Sequence, residues 1–189
     1  MKRCIALLTA VLLSAPVYAK TFTIDDAHSN VAFTIRHLVG KVTGQFNKFQ
    51  GTLDYDAKNT KSWKTDATID AASITTGNSK RDEHLKTPDF FDVAKFPTLA
   101  FKSTGVTDVV GNTGKLQGNL TMHGVTKPVT LDLEVTNPMK DPMGTGERIG
   151  ATAKGKVNRR DFAITNAKDV GGMIGDEVDI VINIEGVSK

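Results

Sequence analysis

The feature that most limits what this chain can become is its period-two alternation of apolar and polar residues, which runs through nearly every segment. Side chains that alternate in this way match a β-strand with one buried and one solvated face. Val31, Phe33, Ile35 and His37 share one parity, while Ala32, Thr34 and Arg36 share the other. Trp63, Ala67 and Ile69 oppose Lys64, Asp66 and Asp70, and Leu99 and Phe101 oppose Lys102. The pattern continues through Leu116–Gly118–Leu120–Met122, Val129–Leu131–Leu133–Val135, Ile149–Ala151–Ala153–Gly155–Val157 and Val178–Ile180–Ile182–Ile184. The chain is therefore all-β, and about eight antiparallel strands leave two architectures, a sandwich or a closed barrel.

One strand changes phase. Val42, Gly44 and Phe46 lie on one parity and Phe49, Leu53 and Tyr55 on the other, so a one-residue slip is expected near Asn47 and Lys48. Long bent strands of this kind suit a closed barrel better than a flat sheet. Many inward positions are small (Gly44, Ala67, Ala71, Gly118, Ala151, Ala153, Gly155), which implies interior volume left unfilled and favours a barrel that holds a ligand. Only one region reads as helix. Ser79 with Asp82 forms a capping-box-like start, Lys86 sits in the last turn, and Thr87-Pro88 begins a further helical turn over Asp89, Phe90 and Phe91. Gly111 to Gly114 reads as a hairpin loop and Pro138 to Glu147 as a longer one.

The first residues read as an export signal: Lys2 and Arg3, an apolar run from Ile5 to Ser14, then Val17-Tyr18-Ala19, with cleavage expected after Ala19. The apolar run is shorter than the roughly 20 residues that span a bilayer, so an integral membrane protein is not expected. The expected mature domain is 20–189. The single cysteine, Cys4, falls inside the signal, which removes disulfides, thiol nucleophiles and cysteine metal sites from consideration. Without Lys2 and Arg3, the 24 basic residues fall to 22 against 21 acids, and no dedicated nucleic-acid surface is implied.

Candidate chemistry is sparse. None of His28, His37, His84 and His123 has a second histidine at metal-ligand spacing, so no metal and no cofactor is expected. Asp25, His28 and Ser29 contain triad residue types but are neighbours at a strand entry, unable to form a nucleophile–base–orienter chain, and no catalytic residue is assigned. Met139 and Met143 are too few for a copper site. A helix lying across a barrel mouth would point Leu85, Phe90, Phe91 and Phe96 inward and leave basic groups at the rim. Arg159 and Arg160, at the end of a strand, would add rim charge. Ordinary helix-surface salt links, such as Asp82 with Lys86, explain the same residues equally well.

Four tracts carry a resemblance: DDAHSNVAFTIRH (25–37), RDEHLKTPDFFDVAKFPTLAF (81–101), LTMHGVTKPV (120–129) and NRRDF (158–162). Together they resemble the YceI family in order across essentially the whole mature chain. The resemblance implies a lipocalin-like, eight-stranded antiparallel barrel, exported to the periplasm, which binds polyisoprenoids, quinones or other long-chain lipids and has no established enzymatic activity. Ala163 departs from the pattern, standing where many members have glycine after the NRxDF-like motif. On this reading Phe33, Ile35, Phe46, Leu85, Phe90, Phe91, Leu99, Phe101, Leu120, Met122, Leu131, Leu133 and Phe162 line the lipid site, with Arg81, His84 and Arg159 at a head-group rim. The partner is a long isoprenoid or acyl lipid, worth about 0.8 kcal/mol per buried methylene and so about 3 kcal/mol per isoprene unit. An enzyme acting on a lipid and a partner-binding module with a filled core remain the alternatives.

Overall fold

The computed structural model describes residues 19–165 and 172–188. The expected signal up to Tyr18 lies outside them. Twelve strand segments form among the described residues, and they combine into eight staves of a closed antiparallel barrel. β1 (Lys20–Ile24) and β2 (Asn30–His37) make the first stave, interrupted by a 3-10 turn at Asp26–His28. β3 (Gly40–Phe46) and β4 (Phe49–Tyr55) make the second, and β5 (Lys64–Asp70) with β6 (Ile74–Thr75) the third. β7 (Thr98–Val110), β8 (Thr113–Met122) and β9 (Val125–Val135, continued by β10 at Met139–Lys140) follow as hairpins. β11 (Glu147–Asn158) and β12 (Ile174–Val187) complete the wall. β12 pairs with β11 along one edge, Ala153 opposite Ile182, and with both β2 and β1 along the other, Ile182 opposite Val31 and Thr23 opposite Val187. That double pairing leaves the main wall without a free edge, the arrangement that shields a β-protein from edge-to-edge association.

The phase change in the second stave is a real break. Asn47 and Lys48 leave the strand, and their N–H groups donate to Ser73 O (3.2 Å) and Ser73 Oγ (3.1 Å) instead of to the ladder. Past them, Phe49 and Leu53 face inward. The helix is also present, but its start is one residue earlier than the sequence suggests. α1 spans Ser79–Leu85, and its cap is Asn78, whose side chain accepts from Arg81 N at 3.1 Å. Asp82 does not reach back to the cap. It is buried and accepts from Thr76 N (2.8 Å), Thr76 Oγ1 (2.5 Å) and Thr75 Oγ1 (3.0 Å), fastening the helix to β6. Lys86 pairs with Glu83, not with Asp82. The segment from Thr87 to Phe91 is a succession of turns, not a helix, with Phe90 N donating to Thr87 O and Phe91 N to Leu85 O, both at 3.0 Å.

The interior divides into two ends. At the end away from α1, Phe22, Tyr55, Trp63, Leu116, Leu133, Val135 and Ile149 form a packed plug. Tyr55 stacks on Trp63 at 5.0 Å, and Trp63 Nε1 donates to Asp56 O at 2.8 Å, so the indole is buried with its polar atom satisfied. Beneath α1 a second cluster gathers Phe46, Phe90, Leu99, Leu120, Met122 and Phe162, and here the packing stops short of filling the barrel.

Candidate functional site

The space left between the plug and α1 is a cavity of about 410 Å³. That falls within the roughly 300–1,000 Å³ of small-molecule sites. Its wall is built by alternation: each stave contributes every second side chain, as with Val31, Phe33 and Ile35 from β2 or Ile180, Ile182 and Ile184 from β12. Of the residues expected at the lipid site, Phe33, Ile35, Phe46, Leu85, Phe90, Phe91, Leu99, Phe101, Leu120, Met122, Leu131 and Leu133 all reach this wall. Phe162 does not. It is 2% exposed and stands behind the wall in the core cluster. Phe96 lies outside as well, its ring 4.5 Å from that of His123.

The small inward residues act in two different ways. Ala67, Ala151 and Ala153 line the cavity. The inward glycines leave no void, because neighbouring side chains occupy the space. A Cβ at Gly44 would sit 2.4 Å from Phe33 Cζ, one at Gly118 2.3 Å from Phe101 Cζ, and one at Gly155 2.5 Å from Leu131 Cδ2. Each glycine is a seat in which a larger cross-strand neighbour lies flat against the wall. Ala71 is buried in a 3-10 turn and is also off the wall.

The mouth is set by the residues between β6 and β7. Leu85, Phe90 and Phe91 roof the cavity, with Phe91 edge-on to Phe46 at 5.8 Å and Phe46 beside Phe33 at 5.9 Å. His37, Arg81 and His84 are the exposed polar residues that reach the lining. Arg81 donates through Nε to Thr76 Oγ1 (2.7 Å) and through an η nitrogen to Thr76 O (3.0 Å). His84 Nε2 lies 2.8 Å from Asp89 Oδ2, its ring edge-on to Phe90 at 5.1 Å. Arg159, also expected at the rim, reaches the lining but is only 4% exposed. Its guanidinium donates to Gly175 O and Ile164 O, both at 2.9 Å, and pairs with Asp176 at 3.0 Å, so it ties β12 to the 3-10 turn Arg159–Phe162. Ala163 ends that turn in the left-handed conformation, φ 57°, and adopts without change the geometry for which a glycine is suited.

At the opposite end is a polar cluster that the sequence scattered over 160 positions. Arg148 pairs with Asp25 (3.3 Å), Asp141 (3.1 Å) and Glu185. Hydrogen bonding to Asp141 and Glu185 raises the guanidinium's pKa. The Asp25 carboxyl is lowered, chiefly by the hydrogen bond to His28, Nδ1 to Oδ2 2.9 Å. Ligand atoms of Asp25, His28 and Glu185 lie within 4.8 Å of one another, but Arg148 already supplies their cation. Ser29 Oγ donates to Asp25 O at 2.6 Å and does not face His28, so no nucleophile–base pair forms. Neither this network nor the role of Arg148 is visible in sequence, because its members share no spacing; only the fold brings them together.

No helix among the described residues is long and apolar enough to cross a membrane. The YceI-like domain model matches residues 22–186. Protein YceI of Salmonella arizonae is 40% identical over 166 residues, 87% of this chain and 84% of its own length; that of Salmonella agona is 41% identical over the same shares. The Campylobacter jejuni YCEI protein superposes with a TM-score of 0.72 at 33% identity, covering 87% of this chain and 96% of that one. More distant structures share the fold. BcnA of Burkholderia cenocepacia has a TM-score of 0.78 at 23% identity, covering 86% of this chain and 98% of its own. A polyisoprenoid binding domain from Saccharophagus degradans has 0.68 at 14%, covering 90% and 99%. With its barrel, its roofed apolar interior and these matches along nearly all of the described chain, the protein belongs to the YceI family.

Proposed function

We propose that the chain is an exported, periplasmic carrier that holds one long isoprenoid or acyl lipid inside the barrel and acts by binding, not by turnover. The observation that carries this reading is the cavity: about 410 Å³, walled by aliphatic and aromatic side chains, sealed by the Trp63 plug and open beside α1. An apolar chain placed there gains about 0.8 kcal/mol per methylene removed from water, so a few isoprene units suffice for tight binding after the cost of ordering them. The polyisoprenoid binding of the Saccharophagus domain supports the same ligand class. The wall residues from Phe33 to Leu133 contact the chain, Leu85, Phe90 and Phe91 close over it, and a polar head group stays at the mouth. Arg81 and His84 are exposed there and face it. Arg159, held by backbone carbonyls and Asp176, positions the mouth more than it binds a head group.

The test is native mass spectrometry of the purified protein, then solvent extraction and identification of what is released. One discrete lipid per chain, lost on unfolding, supports the carrier. A bare mass, with no uptake when isoprenoid quinones and prenyl phosphates are supplied, refutes it. Fractionation of cells with N-terminal sequencing tests the export step, for which a mature terminus at Lys20 is expected.

A further inference from the structure

We infer that the β2–β3 hairpin tip is a membrane-docking surface, and that the occupant it fits is the anionic face of a lipid bilayer. The tip is Leu38 and Val39, 53% and 106% exposed, with Met173 beside them at 41%. Leu38 N donates to Met173 O at 2.7 Å, so the three apolar side chains belong to one patch contributed by two neighbouring staves. A solvent-facing valine at a hairpin tip gains nothing from this barrel, whose own core faces the other way. Leu38 also holds a left-handed backbone, φ 51°, a conformation that a leucine adopts only at a cost. Burial against something outside the molecule offsets both.

Charge identifies the occupant. From Arg36 to Lys41 the hairpin reads Arg-His-Leu-Val-Gly-Lys, an apolar tip flanked by cations with no acid among the six residues. The Arg36 guanidinium donates to Leu38 O (3.1 Å) and Gly172 O (2.9 Å), and no carboxylate among the described residues pairs with it. Lys41 lies 3.7 Å from Asp179, an exposed and loose pair. Apolar side chains that enter the acyl boundary, with basic residues set back at head-group depth, are the pattern of an interfacial anchor. A protein partner of the same apolar character would not require the basic collar.

Position supplies the second argument. His37, adjoining Leu38, and Ile174, adjoining Met173, both reach the lining of the cavity. Docking at this tip therefore sets the mouth against the bilayer, where a lipid can pass between membrane and barrel without crossing water. The use made of docking rests on the carrier reading, whereas the docking itself does not.

The experiment is co-sedimentation of the purified protein with vesicles of phosphatidylethanolamine and phosphatidylglycerol, and with phosphatidylcholine alone. Each variant is also titrated with a fluorescent apolar probe that reports the interior. Binding to the anionic vesicles, weaker in high salt, is expected for the unaltered chain. Val39→Asp should weaken it roughly tenfold or more through loss of apolar contact and added repulsion, with probe uptake unchanged. Val110→Asp, at an exposed hairpin at the other end of the barrel, should leave it as it was. Equal binding by the unaltered chain and Val39→Asp, or no vesicle binding by an unaltered chain that takes up the probe, overturns the docking surface. Normal docking without probe uptake refutes the carrier reading and leaves the surface standing.

Discussion

Replacing Gly118 by alanine adds a single methyl group, yet its effect should reach the cavity. The new Cβ would stand 2.3 Å from Phe101 Cζ, 2.6 Å from Phe101 Cε2 and 2.8 Å from Lys102 O. Carbon atoms rest at about 3.5–4.0 Å, so the tip of the ring must retreat by more than an ångström. Lys102 O belongs to β7, paired to β8 at this point, and yields little. Phe101 lines the cavity, so the ring has one open direction, inward. Overpacking of this kind costs about 1–3 kcal/mol, and the free space beyond the ring puts the expected value near the lower half, about 1–2 kcal/mol. For a domain of this size each kcal/mol lowers Tm by about 2–4 °C, which gives a fall of roughly 2–8 °C. The cavity loses about the volume of the added methyl group, worth about 0.8 kcal/mol, so an apolar probe should bind about fourfold more weakly. Thermal unfolding and a probe titration measure the two effects. An unchanged Tm refutes the close contact, and a lowered Tm with full affinity refutes the inward swing. Adding Phe101→Leu to the Gly118→Ala chain should recover part of both, since contacting residues couple by about 0.5–3 kcal/mol.

Ala163→Gly should raise Tm by a few degrees, because a left-handed alanine costs about 1–2 kcal/mol that glycine does not; a lowered Tm in a melting experiment would contradict this. Asp82→Ala removes the acceptor of three hydrogen bonds, each worth about 1.5–3 kcal/mol to a charged group, and should free α1, seen as faster amide exchange from Ser79 to Leu85 with slow exchange kept in β8. Burial raises the Asp82 carboxyl, but hydrogen bonds from Thr76 and Thr75 more than reverse it and leave the pKa below 3.8. Its contribution is therefore complete above pH 3.8 and lost as the pH falls through the lower folded value. Asp25 and Asp141 are lowered too, so acid unfolding should steepen below pH 3.8 and be shallower in Asp82→Asn. Arg148→Met should lower Tm more than Lys115→Met, since Arg148 faces three carboxylates and Lys115 one exposed aspartate; equal losses in parallel melts would reduce the cluster to surface decoration.

The alternation of strand residues decided which side chains face inward, and the wall of the cavity was legible for that reason. Phe33, Leu120 and Leu131 fall where parity puts them. The phase slip at Asn47 and Lys48 was legible on the same ground, because a register error would have turned Phe49 and Leu53 outward. Parity says nothing about what fills the space over a glycine. That depends on cross-strand register, which sets Gly44 opposite Phe33 and Gly118 diagonal to Phe101. Nor does parity separate a rim arginine from a buried one: Arg159 follows the end of β11, where the chain leaves the alternating pattern. The helix cap moved from Ser79 to Asn78 because both residue types cap equally well in sequence, and Asp82 was claimed by Thr75 and Thr76 instead.

The closing stave has a consequence for how the barrel forms. β12 is the last strand among the described residues, yet it supplies an edge to the first stave as well as to β11. Until residues 174–187 are available, the N-terminal stave and β11 are both exposed edges, and the cavity has a slit along its whole height. Assembly must therefore join residues 20–37 to residues 174–187, a pairing far apart in sequence that slows folding relative to locally connected proteins. β12 works as a timer, deferring closure of the barrel until residues 174–187 have joined both β2 and β11.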